Sequence, residues 1–134
     1  MPVEVHVVTP EREVWSGEAE MIVARGVDGE VGILGGHAPL LIRLAIGPLR
    51  IFAGEPQMAV VDGGFLHVST EEGITRADVL ATSGEMASEI DATAARARKE
   101  QAEARLRDAG EAEAEVEAAT AELQRASARL SIAG

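Results

Sequence analysis

Gly29-Glu30-Val31-Gly32-Ile33-Leu34-Gly35-Gly36-His37-Ala38-Pro39 is the stretch on which the reading of the chain turns. Four glycines, one histidine and one proline fall within eleven positions, and Ile33-Leu34 makes an apolar pair among them. Glycine serves where the backbone takes a positive φ or approaches another backbone closely. The composition predicts a shaped loop of fixed course that interrupts two β-like runs. Two readings stay open at this level: a tight connection in a small β-domain, or a surface that presents Glu30 and His37 to a partner.

Upstream of the loop the pattern is β. Val3-Glu4-Val5-His6-Val7 alternates strictly, which sets the valines on one face of a strand. Thr9-Pro10-Glu11-Arg12 predicts a turn, residues 13–15 resume β character, and Ser16-Gly17-Glu18 predicts a bend or bulge. Met21-Ile22-Val23-Ala24 is a short apolar run closed by the turn Gly26-Val27-Asp28-Gly29. Downstream, residues 40–46 predict a strand ending at Gly47-Pro48, and residues 49–53 another ending at Gly54-Glu55-Pro56. Met58-Ala59-Val60-Val61 runs into Asp62-Gly63-Gly64, read as a hairpin turn. In Phe65-Leu66-His67-Val68, Phe65 and His67 share the face opposite Leu66 and Val68; after Glu71-Glu72-Gly73 a last strand covers residues 74–81. The expectation is an N-terminal antiparallel β-sandwich of about 8–10 short strands. The runs between turns are too short for helical crossovers, which argues against a parallel sheet.

Composition changes abruptly near Thr82-Ser83-Gly84-Glu85. All five prolines lie before it, and beyond it the only glycines are Gly110 and Gly134. Alanine and charge then dominate, which predicts a β-sandwich domain over residues 1–84 and a C-terminal antiparallel α-helical hairpin over residues 85–134. Ser88 can cap the first helix, with Glu89 and Asp91 in its first turn. That helix runs to about Arg107, and Asp108-Ala109-Gly110 supplies the turn. The second helix runs from about Glu111 to Leu130, with an apolar seam of Val116, Ala119, Leu123, Ala126 and Leu130. Facing positions on the first helix are mostly alanine. Burial stabilises by about 25 cal/mol per Å² and alanine contributes little of it, so the helices are expected to form readily and to adhere weakly.

The formal net charge is −11 and aromatics make up 2% of the chain. That balance argues against a basic face for nucleic acid or anionic lipid and permits docking of a basic partner. With no cysteine there is no disulfide framework and no thiolate ligand or nucleophile. The N-terminus lacks the pattern of a secretory signal, and no window approaches the run of about 18 apolar residues that spans a bilayer. His6, His37 and His67 lack metal-ligand spacing, Ser16, Ser69 and Ser83 lack a nucleophile-elbow context, and the glycine-rich stretch has no Lys-Ser/Thr behind it. No catalytic residue and no metal site is expected. Arg96, Arg98, Lys99, Arg105, Arg107, Arg125 and Arg129 are either solvated faces or a basic stripe for an acidic segment or a nucleotide phosphate.

An ordered set of motifs then resembles a family. Val8-Thr9-Pro10-Glu11, Ser16-Gly17-Glu18-Ala19, Gly29-Glu30-Val31-Gly32-Ile33-Leu34, Gly36-His37-Ala38-Pro39-Leu40-Leu41, Gly63-Gly64-Phe65 and Ile90-Asp91 together resemble the epsilon subunits of rotary proton-translocating ATP synthases. The resemblance implies a non-catalytic central-stalk subunit without cofactor. Its sandwich would bind the gamma subunit and stand on the ring of c subunits through Glu30, Gly35, Gly36, His37, Ala38 and Pro39. Its hairpin would reach the catalytic head of alpha and beta subunits and restrain ATP hydrolysis. In some members the folded hairpin takes ATP as a regulatory ligand, which points to Ile90, Asp91, Arg98, Arg125 and Arg129. Here Ala94 stands where that nucleotide motif has arginine, Arg98 lies one turn further on, and Gly35 replaces a frequent proline. The implied location is peripheral, at the cytoplasmic face of a bacterial plasma membrane, without insertion. Two other readings are an ATP-sensing hairpin protein and a metal-dependent sandwich enzyme using the histidines.

Overall fold

A computed structural model describes residues 1–133, which form two compact units, Met1–Met86 and a second from Ala87 onward. The first unit holds eight strands: β1 Val3–Val8, β2 Glu13–Ala19, β3 Met21–Gly26, β4 Gly29–Leu34, β5 Leu40–Ala53, β6 Glu55–Glu71, β7 Ile74–Ala81 and β8 Gly84–Met86. They pair in the order β2-β1-β7-β6-β5-β3-β4, with β8 on β6. The alternation in β1 does what period two dictates: Val3, Val5 and Val7 are fully buried while Glu4, His6 and Val8 face outward. One pairing is not antiparallel, since β1 and β7 run parallel from Val3–Thr75 to Val8–Leu80. No helical crossover is needed for it, because β2 to β6 themselves make up the connection.

Two long strands fold this ladder into a sandwich. The first half of β5 and second half of β6 pair from Leu40–Val68 to Leu44–Gly64 and join β7, β1 and β2. The second half of β5 and first half of β6 pair from Ile46–Asp62 to Ala53–Glu55 and join β3, β4 and β8. Each layer therefore has five strands, two of them shared. This corrects two turn readings. Asp62-Gly63-Gly64 is not a hairpin, and Gly47-Pro48 does not end a strand. Gly63 and Gly64 take φ of +81° and +121° and bend β6 from one layer into the other. A Cβ on Gly64 would strike the Leu80 carbonyl and the Ala81 Cα. Pro48 falls where pairing of β5 with β3 slips between Ala24–Leu49 and Gly26–Leu44, so its missing N–H breaks no regular ladder. Ser16-Gly17-Glu18 likewise runs straight within β2, and its glycine admits the Trp15 indole. The bulge in that pair lies at Val7/Val8.

The inward faces of both layers meet in one aliphatic core. Val3, Val5, Val7, Leu66, Val68 and Val79 come from the first layer; Ile22, Ile33, Leu49 and Ile51 come from the second. Each such side chain contributes about 1.5–3 kcal/mol when fully buried.

The second unit opens with a 3-10 turn, Ala87–Glu89, followed by α1 Ala92–Ala109 and α2 Glu113–Ile132. Asp91, not Ser88, is the N-cap of α1, and Ser88 and Glu89 belong to the preceding turn. Gly110 closes α1 at φ +56°. The caps of α2 carry no side-chain bond, and Glu113 and Glu115 occupy its first turn, where the helix dipole favours negative charge. Arg105 Nε donates to Glu115 Oε1 at 3.0 Å across the turn between the helices. Ala95 and Ala102 of α1 and Ala119 and Ala126 of α2 are buried. Val116, Leu123 and Leu130 of the expected seam are only half-buried.

Candidate functional site

The opening stretch is a strand and a connection rather than one loop. Gly29–Leu34 is β4, the edge of its layer, with Val31 and Ile33 turned inward and Glu30, Gly32 and Leu34 exposed. Glycine content hid an ordinary alternation. Glu30 therefore sits at one end of β4, beside the β3–β4 turn, and His37 lies beyond the other end. At about 3.3 Å per residue, the strand alone separates Glu30 from Leu34 by about 13 Å. Glu30 accepts from Arg50 Nη2 at 3.4 Å, an exposed pair of modest worth.

Residues 35–39 carry the chain from β4 to β5, from one layer to the other. They cross the end of the sandwich where β1 and β7 begin. A Cβ on Gly35 would overlap the Met1 main chain. The Gly36 N–H donates to Thr75 Oγ1 at 2.7 Å. His37 N–H turns back to the Leu34 carbonyl at 3.1 Å, which closes a four-residue turn with Gly36 at its third position, φ +86°. His37 Nδ1 lies 2.7 Å from the Ala38 carbonyl oxygen. A carbonyl only accepts, so Nδ1 is the donor in this contact. Ala38 and Pro39 are exposed.

Between the edge strands β4 and β5 lies a groove of about 380 Å³ lined by the β3–β4 turn, Glu30, Val31 and residues 40–43. Leu41 is 66% exposed and Val27 53%, both on this groove. Glu30 lines this groove, whereas residues 35–39 do not and lead into it only at Leu40. Val27, Leu41 and Arg43 were not among the residues expected there. For Val27 and Leu41 a signal was available, as apolar positions out of phase with the buried face; the charged Arg43 carried no such signal. Phe65 and Leu80, cross-strand partners on the outer face of the first layer, are likewise exposed. His6 on β1, Asp78 on β7 and His67 on β6 stand level on three neighbouring strands, with His6 3.0 Å from Glu4, while His37 lies apart on the 35–39 connection. Among the described residues no group of three or more metal-ligating side chains gathers.

The hairpin brings Ile90 and Asp91 to the same end as Arg125 and Arg129. Asp91 Oδ1 accepts the Ala94 N–H at 3.0 Å, so the carboxylate serves as the helix cap. Arg98 is exposed on α1, Arg125 pairs with Glu122, and the buried Arg129 donates from Nη1 to the Arg125 carbonyl at 3.0 Å. Arg76, on the sandwich, is held above the usual guanidinium value by its hydrogen bond and charge pairing with Asp78.

Family comparison matches residues 2–87 to the β-sandwich domain of the ATP synthase delta/epsilon chain and residues 88–134 to its long α-helix domain. The chain is 37% identical over 131 residues to the ATP synthase epsilon chain of Halalkalibacterium halodurans, covering 97% of this chain and 96% of that one. It is 38% identical over 132 residues to that of Shouchella clausii, covering 98% and 94%. A chain in a Euglena gracilis mitochondrial ATP synthase structure, described as OSCP/F1/c-ring, shares the fold at TM-score 0.79 and 22% identity, over 94% of this chain and 78% of that one. With both of its units matched in order and relatives aligned end to end, the chain belongs to the delta/epsilon family of ATP synthase subunits.

Proposed function

We propose that the chain is a non-catalytic central-stalk subunit that links the gamma subunit to the ring of c subunits and couples ion-driven rotation to ATP synthesis. The observation that carries this reading is the ordered match of both units, sandwich then helices, over residues 2–134. The fold suits a mechanical part. Transmitting torque needs a stiff body held between partners, and a sandwich whose layers share two long strands through one aliphatic core resists shear. Glu30, Gly35, Gly36, His37, Ala38 and Pro39 form the docking surface toward the c-ring, with Leu41 and Val27 as its apolar anchors. The helical hairpin acts on the catalytic head and restrains ATP hydrolysis. Docking on a membrane-embedded ring places the subunit at the cytoplasmic face as a peripheral component; among the described residues no helix is long and apolar enough to cross a membrane.

The test is recovery of the tagged chain from detergent-solubilised membranes of its own cells. The alpha, beta, gamma and c subunits are expected in the same particle. Recovery of the chain free of any ATPase overturns the reading.

A further inference from the structure

We propose that Thr75 is a positioning residue for the docking surface: its hydroxyl sets the course of the 35–39 connection and hence the placement of His37. The proposal rests on the reading of that connection as part of the c-ring contact.

The inward column of β7 is Thr75, Ala77, Val79 and Ala81, and Thr75 is its one polar member, at 0% exposure. A hydroxyl in that position is paired or it destabilises the fold. Its partner is the Gly36 N–H at 2.7 Å, 39 residues away in sequence and on the opposite layer's exit. That bond orients the peptide between Gly35 and Gly36. The chain then turns at φ +86° and closes on Leu34 through the His37 N–H. No room exists on the other side, because Gly35 rests against the Met1 main chain. Gly36, by contrast, has open space where a side chain would be, so packing does not hold it. The hydroxyl of a buried residue therefore does what packing does elsewhere: it selects one course for an exposed connection. With Nδ1 committed to the Ala38 carbonyl, that course also decides where the other ring nitrogen of His37, Nε2, stands.

The experiment rebinds the full-length chain to ATP synthase membranes stripped of this subunit and follows amide exchange in the unbound chain. Thr75→Val is expected to weaken rebinding about tenfold, and Thr75→Ser to rebind like the parent. Because Thr75 acts through His37, Thr75→Val should add less than about twofold to the loss in His37→Ala. In the free chain the Gly36 and His37 amides should exchange at least about tenfold faster in Thr75→Val while Ala77 and Val79 keep their protection. Thr75→Ala, which removes the hydroxyl without adding volume, carries the same comparison if the valine variant does not fold. Parent-like rebinding of Thr75→Val, a serine variant as weak as the valine one, fully multiplicative losses, or unchanged Gly36 exchange each overturn the role of Thr75. Parent-like rebinding of His37→Ala overturns the docking reading itself and leaves the exchange result to judge the positioning.

Discussion

Asp91 accepts the main-chain N–H of Ala94 at 3.0 Å, and this bond caps the start of α1. The first N–H groups of a helix have no partner within it, and an aspartate at the N-cap satisfies one and favours the positive end of the dipole. Asp91→Ala is therefore expected to destabilise the helices by about 1 kcal/mol, while Asp91→Ser is nearly neutral. Thermal melts of the full chain followed by far-ultraviolet circular dichroism compare the two. Equal losses in both variants would mean that the carboxylate matters for something other than the cap. The same pair tests ATP as a regulatory ligand: a nucleotide role for Asp91 requires ATP binding by the parent, measured by calorimetry, and its loss in the serine variant.

Glu30 and Arg50 form an exposed pair at 3.4 Å, the kind whose removal changes stability by about 0–1 kcal/mol. Glu30→Lys should leave the melting temperature of the isolated chain within a few degrees of the parent. Its effect should fall on assembly, because the charge stands on the groove between β4 and β5. Rebinding to stripped membranes is expected to weaken, most visibly at low ionic strength where exposed charges are least screened. A variant that rebinds and couples normally would remove Glu30 from the docking surface.

Gly64 has both reasons to be glycine, a φ of +121° and no room for a Cβ against Leu80 and Ala81. Gly54 has only the first, since its φ is +75° and nothing lies where a side chain would go. Gly64→Ala should cost more than the roughly 1–3 kcal/mol expected of backbone strain alone, and Gly54→Ala should stay within that range. Urea denaturation of the two variants gives the order. Equal losses would show that the bend in β6 is not tightly packed.

The same bend shows what a sequence conceals. Positive φ was legible at Gly63 and Gly64, but a glycine pair reports backbone conformation and not reversal of direction. Whether β6 turns back or passes into a second layer is decided by partners far away in the chain, here Leu44 and Leu80. Gly47-Pro48 misled for a related reason: Pro48 lies in the slip of β5 against β3, where β5 runs from Leu49 to Leu44 while β3 advances only from Ala24 to Gly26. By contrast, Val3, Val5 and Val7 were legible because one face of β1 is buried along its whole length, which imposes period two on composition. Within the site, the residue types at 29–39 were readable as a special stretch, but Thr75 was not. Nothing near it in sequence announces that its hydroxyl meets Gly36. The cap of α1 lies three residues beyond the expected one because Ser88 and Asp91 are equally good caps by residue type, and only geometry chooses between them.

Ala119 is fully buried, whereas its neighbour Ala118 is exposed. Alanines at buried positions let two helices approach closely, and a larger side chain forces them apart. Ala119→Leu is expected to destabilise the hairpin by about 1–3 kcal/mol through overpacking. Ala118→Leu, with the same added volume and helix propensity, should stay within about 0.5 kcal/mol of the parent. Denaturation followed by helical signal separates them, since a propensity effect would act on both alike. In the assembled enzyme the prediction extends to ATP hydrolysis. If closure of α1 on α2 governs the restraint, the Ala119 variant changes the hydrolysis rate and the Ala118 variant does not. Matching rates in the two would assign the restraint to the helices' outer faces instead of their seam.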